Sequence, residues 1–223
     1  MSKTVLMAAS AVLALTAGNA LAHPTLGVRP AHVVPIKAPG KTLYNQNSNF
    51  GYGIVSQNFT SNSAQYDAAA ADDFLVPKGK IWKITAIDVT GVYFNGSGPA
   101  PSETITFYAD SKGHPGKAIG KGQKLTCTDS AGSFACTLPK PVKLDNSAGT
   151  KKARYWLSVV VNMSFTNGGE WGWVQNTVGA NDPGQWENPG NGYGTGCTTW
   201  NATSSCIPTV APANDYAFEL LGK

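Results

Sequence analysis

The chain has 223 residues and a net charge of +4, and 42% of its residues are hydrophobic while only 13% are charged. So few charges exclude a coiled coil, a charge-driven disordered protein and most helical bundles. The small net charge also argues against a nucleic-acid partner, because such binders work through the release of many counterions. After the first 22 residues no apolar run approaches the roughly 20 residues of a membrane helix, so no transmembrane anchor is predicted.

Residues 1–22 have the pattern of an export signal. Lys3 supplies the positive charge, residues 5–17 are small or apolar, and residues 20–22 read Ala-Leu-Ala, which matches an A-x-A cleavage site. We therefore expect cleavage before His23 and a secreted protein, extracellular or periplasmic. The fold prediction below therefore starts at residue 23.

Residues 23–42 are predicted to form an extended, proline-rich arm. The run HPTLGVRPAHVVPIKAPG contains four prolines, which exclude a long helix or a central strand. Beyond the arm we expect a β domain over residues 43–223. Its first strands are short, near Leu43–Tyr44 and Gly53–Phe59.

From residue 71 onward the hydrophobic pattern has a period of two. In β-rich runs such as Thr104–Tyr108, Ile105 and Phe107 share one face while the threonines share the other. Ile81–Val89 is apolar on both faces, which is typical of a central strand. Gly-, Pro- and Asn-rich turns separate these runs. The sequence therefore predicts a single all-β domain, an antiparallel β-sandwich of the jelly-roll or carbohydrate-module type.

Four cysteines occur in two pairs of equal spacing, Cys127 with Cys136 and Cys197 with Cys206. In an oxidising compartment they predict two local disulfides, although four cysteines formally allow three pairings. Each closed loop of this size is worth about 2–3 kcal/mol in the chain-entropy model. A zinc site is the rival interpretation, but it favours closer cysteine spacing and histidine partners.

Tryptophans are concentrated in the last third of the chain, in sequence rich in glycine and asparagine. A flat indole face stacks on a sugar ring, and nearby carboxylates and amides bond its hydroxyl groups. The sequence therefore predicts a glycan-binding surface, with burial of the same rings in the core as the competing interpretation. The predicted ligand residues are Trp171, Trp173, Trp186 and Trp200, with Glu170, Asn188 and Asn191 as polar helpers.

An enzyme is the alternative. Glycoside hydrolysis needs two carboxyl groups that flank a cleft, and Glu170 and Glu187 each lie beside a tryptophan. They are the candidates for a small glycosidase, although their spacing does not mark them as a pair.

Two features of the sequence bear on metal binding. An amino-terminal His23 has an amine and an imidazole that chelate copper together, with His32 or His114 as the second imidazole of a copper oxygenase. Asp72, Asp73 and Asp110 supply oxygens of the kind that calcium prefers. We favour ordinary structural roles for these aspartates: Asp72 and Asp73 in a turn at the start of a strand, and Asp110 in a hairpin turn. We therefore expect the protein to need no cofactor.

Basic residues are unevenly distributed. Residues 78–154 contain twelve lysines and arginines against five acids, whereas residues 155–223 contain one lysine against five acids. Lysines often protect edge strands from aggregation, which is the favoured explanation. The other explanation is a basic face that docks an acidic polymer or an anionic envelope.

Several long segments resemble a module that recurs in secreted bacterial proteins. They read ADDFLVPKGKIWKITAIDVTGVYFNGSGPAPSETITFYADSKGHPG, ARYWLSVVVNMSFTNGGEWGWVQN and WENPGNGYGTGCTTW, preceded by LYNQN and GIVSQNF. The resemblance covers about Leu43 to Leu221, which leaves the arm and His23 outside it. It implies a secreted β-sandwich, found alone or beside other extracellular domains, and it implies no reaction.

Together these observations favour an exported, non-catalytic β-sandwich that binds a glycan or a cell-envelope component through exposed tryptophans. A small secreted enzyme, either a glycosidase or a copper oxygenase, is the first alternative. The second is a structural or adhesive protein, in which the arm and the Gly/Asn-rich loops mediate self-association.

Overall fold

The computed structural model describes residues 23–60, 63–210 and 215–223. The predicted leader, residues 1–22, lies outside the described residues. Within the described ranges the chain is mostly β-strand with a few short helical turns. None of the helices in these ranges is long and apolar enough to cross a membrane.

In chain order the first strands are β1 (Gly27–Val28), β2 (Lys41–Asn45), β3 (Phe50–Val55), β4 (Gln57–Phe59), β5 (Ala69–Val76), β6 (Lys80–Val89), β7 (Gly91–Phe94), β8 (Ser102–Asp110) and β9 (Pro115–Ala118). The remaining strands are β10 (Gln123–Leu125), β11 (Thr128–Ser130), β12 (Ser133–Asn146), β13 (Ala153–Met163), β14 (Glu170–Asn176), β15 (Gln185–Glu187), β16 (Asn201–Ala202), β17 (Asp215–Tyr216) and β18 (Phe218–Gly222). The helical turns are α1 (Phe165–Gly168), α2 (Thr203–Cys206) and two 3₁₀ turns at Ala64–Tyr66 and Pro208–Val210.

The strands form three sheets. Sheet I has the order β1-β3-β14-β17, with β7 also paired to β14; sheet II has the order β10-β8-β13-β5-β15-β16, with β4 and β9 attached; sheet III has the order β11-β12-β6-β18-β2. Sheets I and III are continuous, because only Thr90 separates β6 from β7 and only Ala217 separates β17 from β18. The Thr90 N–H donates to the Ala217 carbonyl at 3.2 Å across this junction.

The joined sheets I and III pack against sheet II, which makes the fold the all-β sandwich that the sequence predicts. Phe74 of sheet II illustrates the contact: its ring stacks on Trp82 at 6.2 Å and meets Phe218 at 6.4 Å, both from sheet III. Ile105 and Phe107 also face this core and are 1% and 2% exposed, as the period of two indicates. The interior is therefore a layer of aliphatic and aromatic side chains between two β layers.

The proline-rich arm, residues 23–42, runs along the sandwich. Its strand β1 pairs antiparallel with β3, with Gly27 opposite Ile54. Further along, the Ala38 N–H donates to the buried Asp88 carboxylate at 2.8 Å. The arm is therefore held to the sandwich at two separate places, by strand pairing and by this hydrogen bond.

Both predicted local disulfides are present, Cys127–Cys136 and Cys197–Cys206, each with nine residues of sequence separation. The first ties the chain after β10 to β12. The second closes a loop that is otherwise held by little regular structure. Both cysteine pairs fit the oxidising environment of an extracellular protein.

Candidate functional site

Three of the four predicted ligand tryptophans lie in the core. Trp171, Trp173 and Trp186 are each 0% exposed. Each indole N–H donates to a backbone carbonyl oxygen, at 2.7, 3.0 and 2.9 Å respectively. The expected exposure of these three rings is therefore wrong, and a sugar ring has no access to them. Their N–H groups instead donate to backbone carbonyls inside the fold, so each buried indole nitrogen has a hydrogen-bond partner.

The surrounding glycines explain why this sequence resembles loop sequence. A Cβ atom on Gly91 would lie 2.3 Å from the Trp171 Nε1 atom, so only glycine leaves room for the indole. Gly172, which lies in β14 next to Trp171, approaches the backbone of Gly53 in β3, where an added Cβ would lie 2.7 Å from the Gly53 carbonyl carbon. Glycine here permits close packing inside a sheet rather than flexibility.

Trp200 differs from the other three because its ring is partly exposed. It lies in the loop closed by Cys197–Cys206 and meets the Tyr108 ring edge-to-face, with centroids 6.1 Å apart and planes at 71°. Of the four predicted rings it alone is accessible to a ligand in this part of the chain.

Tyr108 belongs to the outer face of sheet II. Thr104, Thr106 and Tyr108 alternate with buried residues along β8, so all three point away from the core. Their partners on β13 are Val160, Ser158 and Trp156, which share that face by register. We call the surface formed by Thr104, Thr106, Tyr108, Val160, Asn162, Glu187 and Trp200 the Tyr108–Trp200 face.

Polar side chains line this face. The Asn162 amide donates to the Thr104 hydroxyl at 3.0 Å and accepts from the Asn58 amide at 3.3 Å. Glu187 is partly exposed, and burial raises its pKa to about 7. Burial also raises the pKa of Tyr108, and the charge of Glu187 adds to that rise. The face therefore combines an aromatic pair with hydroxyl, amide and carboxyl groups, which is the chemistry that sugar hydroxyls and C–H faces require.

Glu170 lies away from solvent, at the start of β14, and is 0% exposed. Its carboxylate accepts from the Thr25 N–H at 2.8 Å, from the Asn95 amide at 2.7 Å and from the Tyr193 hydroxyl at 3.5 Å. Burial is the main cause that raises the pKa of Glu170 to about 7, and these hydrogen bonds oppose the rise. The arm residue Thr25 thus helps to seal this carboxyl group.

The two glutamates proposed for glycosidase chemistry do not form a pair. Glu170 belongs to sheet I and Glu187 to sheet II. The rise in the pKa of Glu187 has burial as its cause. Two carboxyls that flank a scissile bond would need to face one cleft, and Glu170 is sealed.

Asn188 and Asn191 stabilise a loop rather than face a ligand. Asn188 is 0% exposed, and its amide donates to the Gln65 and Asp67 carbonyls, both at 2.8 Å. Asn191 is exposed, has a φ of 50°, and accepts from the Gly196 N–H at 2.9 Å. The expected role of Asn188 as a polar helper at a glycan surface is therefore wrong, because its amide is consumed inside the fold.

The histidines have separate partners. His23 contacts the neighbouring Pro24 carbonyl at 3.0 Å, and the ring of His114 contacts the Gln185 amide oxygen at 2.8 Å. His32 is exposed on the arm. Among residues 23–60, 63–210 and 215–223, no group of three or more His, Cys, Asp or Glu side chains is placed to hold a metal ion.

Asp72 and Asp73 were expected in a turn at the start of a strand, but they lie in the middle of the buried strand β5. Asp73 forms an ion pair with Arg154 at 2.8 Å, and Arg154 also contacts Asp182. A guanidinium group therefore balances the charge of Asp73, while the Asp72 carboxyl group accepts from the Gln46 amide at 2.6 Å. Asp110 does end β8 at a hairpin turn, where it accepts from the Gly113 N–H at 3.2 Å.

Sequence reasoning did not select Tyr108 as a ligand residue. The available signal was the alternation itself, because Thr104 and Thr106 already place Tyr108 on the outer face. No protein-family model, curated protein or solved structure matches the chain. The resemblance to a secreted bacterial module is therefore not confirmed, although the sheet-rich fold that it implies is present.

Proposed function

We propose that the protein is a secreted, non-catalytic β-sandwich that binds a glycan or another cell-envelope component at the Tyr108–Trp200 face. The contact of the partly exposed Trp200 ring with Tyr108 carries the proposal. An indole held edge-to-face by a second ring keeps a fixed orientation, which reduces the entropy lost when a sugar stacks on it.

Two further features support a binding role for this face. The Cys197–Cys206 disulfide closes the loop that carries Trp200 and limits its movement. The hydroxyls of Thr104 and Thr106 and the amide of Asn162 lie in register with the aromatic pair on neighbouring positions of sheet II. A single stacked sugar with a few exposed hydrogen bonds gives weak binding, in the range of about 10 μM to 1 mM.

The two enzymatic alternatives receive less support from the same geometry. Glu170 is sealed by Thr25, Asn95 and Tyr193, so it does not reach a substrate without movement of the arm. His23 and His114 contact different partners, the Pro24 carbonyl and the Gln185 amide oxygen, rather than a shared metal position. A binding protein therefore explains the accessible residues better than a hydrolase or an oxygenase.

Retention on insoluble polysaccharides tests the proposal. Cellulose, chitin and peptidoglycan sacculi are each incubated with the parent protein, with Trp200→Ala and with Tyr52→Ala. Tyr52 is a matched control, because it is a partly exposed aromatic residue on sheet I, next to Arg29. We expect retention of the parent on at least one matrix, about a fivefold loss for Trp200→Ala, and no loss for Tyr52→Ala. Equal retention of all three proteins would exclude the Tyr108–Trp200 face.

A further inference from the structure

A cleft with a volume of about 590 Å³ opens beside the edge strand β10. Its walls are residues 119–124, which lead into and form β10, and residues 139–143 of β12. We call it the lysine cleft, because four of its eleven lining residues are lysines: Lys121, Lys124, Lys140 and Lys143. All four are exposed, and none of the eleven lining residues is acidic or aromatic.

Most of this positive charge is not neutralised by the protein. Lys143 forms an ion pair with Asp145 at 2.9 Å. Within the described ranges, Lys121, Lys124 and Lys140 have no carboxylate within ion-pair distance. Three cations that face one cleft without counterions repel one another, and an anion bound between them relieves that repulsion.

The walls of the cleft are held in place by the backbone. The pairing of β12 with β6 shifts register between Thr137 and Val142, so this part of β12 leaves the regular ladder. Pro139 and Pro141 lie in the shifted segment, where missing N–H groups do no harm. Gln123 then binds both backbone polar groups of Lys140, at 2.8 and 3.0 Å. The backbone of Lys140 is therefore held beside β10 before any ligand arrives.

The cleft continues toward the Tyr108–Trp200 face. A second cavity of about 320 Å³ shares Lys124 with the lysine cleft and is lined by polar groups that include Ser102 and Asn162. Lys124 is also the strand partner of Thr104. An extended ligand seated in the cleft would thus pass directly onto the residues that we propose bind sugars.

We propose that the lysine cleft binds the anionic groups of an acidic glycan, a polymer whose sugar rings carry carboxylate or sulfate groups. The proposal deepens the function given above and rests on it in one respect, namely that the ligand is a glycan. Charge complementarity selects an anion. The absence of aromatic residues from the lining argues against a nucleic acid, whose bases need stacking surfaces. A recessed site with walls on two strands also suits a polymer better than a flat bilayer.

The test compares four probes: polygalacturonate, dextran sulfate, neutral dextran and a single-stranded DNA of similar length. Affinities are measured for the parent protein and for two variants that lose the same charge, Lys121→Gln/Lys140→Gln in the cleft and Lys151→Gln/Lys152→Gln outside it. All four residues are exposed, so both variants should fold. Buffers with about 20 mM and about 300 mM NaCl separate screened from unscreened attraction.

We expect the parent to bind at least one acidic glycan more tightly than neutral dextran or DNA, and more weakly in the higher salt. The cleft variant should lose about tenfold in affinity for that glycan, and the control variant less than twofold. The relative affinities for polygalacturonate and dextran sulfate identify which anionic group is preferred. Equal losses in both variants, or DNA binding as tight as glycan binding, would overturn the cleft proposal.

Trp200→Ala separates the two proposals in the same assay. If this variant loses glycan binding while the cleft variant keeps it, the lysine cleft is wrong and the proposed function remains. If the cleft variant loses binding and Trp200→Ala keeps it, the cleft is supported and the Tyr108–Trp200 face is wrong. If the parent binds none of these four probes, the lysine-cleft proposal fails, and retention on the insoluble polysaccharides alone decides the proposed function.

Discussion

The side-chain amide of Gln123 on β10 forms two hydrogen bonds with the backbone of Lys140 on β12, in the way that the backbone of a neighbouring strand would. Its side-chain amide N–H donates to the Lys140 carbonyl at 2.8 Å, and its amide oxygen accepts from the Lys140 N–H at 3.0 Å. β10 belongs to sheet II and β12 to sheet III, so one side chain joins the two layers at the edge of the sandwich. The same contact sets the width of the lysine cleft.

The first prediction concerns this contact. Gln123→Ala removes both hydrogen bonds, which are exposed, so the free energy of unfolding should fall by only about 1 kcal/mol. The Lys140 amide should exchange its hydrogen faster, and hydrogen–deuterium exchange of a peptide covering residues 139–143 measures this. Gln65→Ala is the control, because Gln65 is an exposed glutamine in a different part of the chain. Unchanged exchange in Gln123→Ala would show that the contact is not formed in solution.

The second prediction separates the core tryptophans from Trp200. Trp186→Ala leaves a large cavity and an unpaired Val55 carbonyl, so it should cost about 3–5 kcal/mol of the unfolding free energy. Trp200→Ala should cost about 1 kcal/mol or less, because its ring is partly exposed. Urea denaturation measures both.

Trp186→Phe keeps the prediction open to test if the alanine variant does not fold. Phenylalanine retains most of the ring volume but removes the N–H donor, and the loss should be about 1–3 kcal/mol. A Trp186 variant as stable as the parent would contradict the placement of this ring in the core.

Local sequence predicts the strands of this protein better than the fate of its tryptophans. Alternation over Thr104–Tyr108 is a local property, and the burial of Ile105 and Phe107 follows it directly. Trp186, in contrast, lies in a strand of three residues followed by Asn, Pro and Gly, which locally resembles a loop. Its indole is buried by contact with the Val55 carbonyl, 131 residues away in sequence. Such a contact depends on the whole topology, and no pattern within a short window contains it.

The excess of lysines is a second case in which the sequence predicts a composition but not the site that forms from it. Composition reveals that residues 78–154 are rich in lysine. It does not reveal that the register shift between Thr137 and Val142 brings Lys140 next to β10, where Lys124 lies. The charge was predictable from the sequence, whereas the cleft depends on how two edge segments of different sheets meet.

The third prediction concerns the Cys197–Cys206 disulfide. Replacing both cysteines with alanine should lower the free energy of unfolding by about 2–3 kcal/mol, because the unfolded chain gains the freedom of a short loop. It should also loosen the loop that carries Trp200, so protease cleavage within residues 197–206 should become faster. The matched variant is Cys127→Ala/Cys136→Ala, which removes a loop of equal length far from Trp200 in sequence. If both double variants are cleaved in the Trp200 loop at the same rate, the Cys197–Cys206 disulfide does not order that loop.

The last prediction is a pH dependence of stability that originates at Glu170. Its pKa is raised from 4.5 to about 7 in the folded protein, mainly because the carboxyl group is buried. Between these two values the folded state binds more protons than the unfolded state. The contribution of Glu170 to the free energy of unfolding is therefore greatest below about pH 4.5. It falls as the pH rises to about 7, by up to about 3 kcal/mol.

Glu170→Gln removes this titration while preserving the size of the side chain. Other buried acids have raised pKa values as well, for example about 7 for Glu103 and about 6 for Asp88, so the parent should lose stability with rising pH for several reasons. The difference between parent and variant isolates Glu170, and urea denaturation from pH 4 to pH 8 should show a flatter curve for Glu170→Gln. Asp145→Asn is the control: hydrogen bonds from Ser147 and then Lys143 hold the pKa of Asp145 below its usual range, so its titration lies at lower pH. Parallel curves for the parent and Glu170→Gln across this range would mean that the carboxyl is not buried beneath Thr25 and Asn95 in solution.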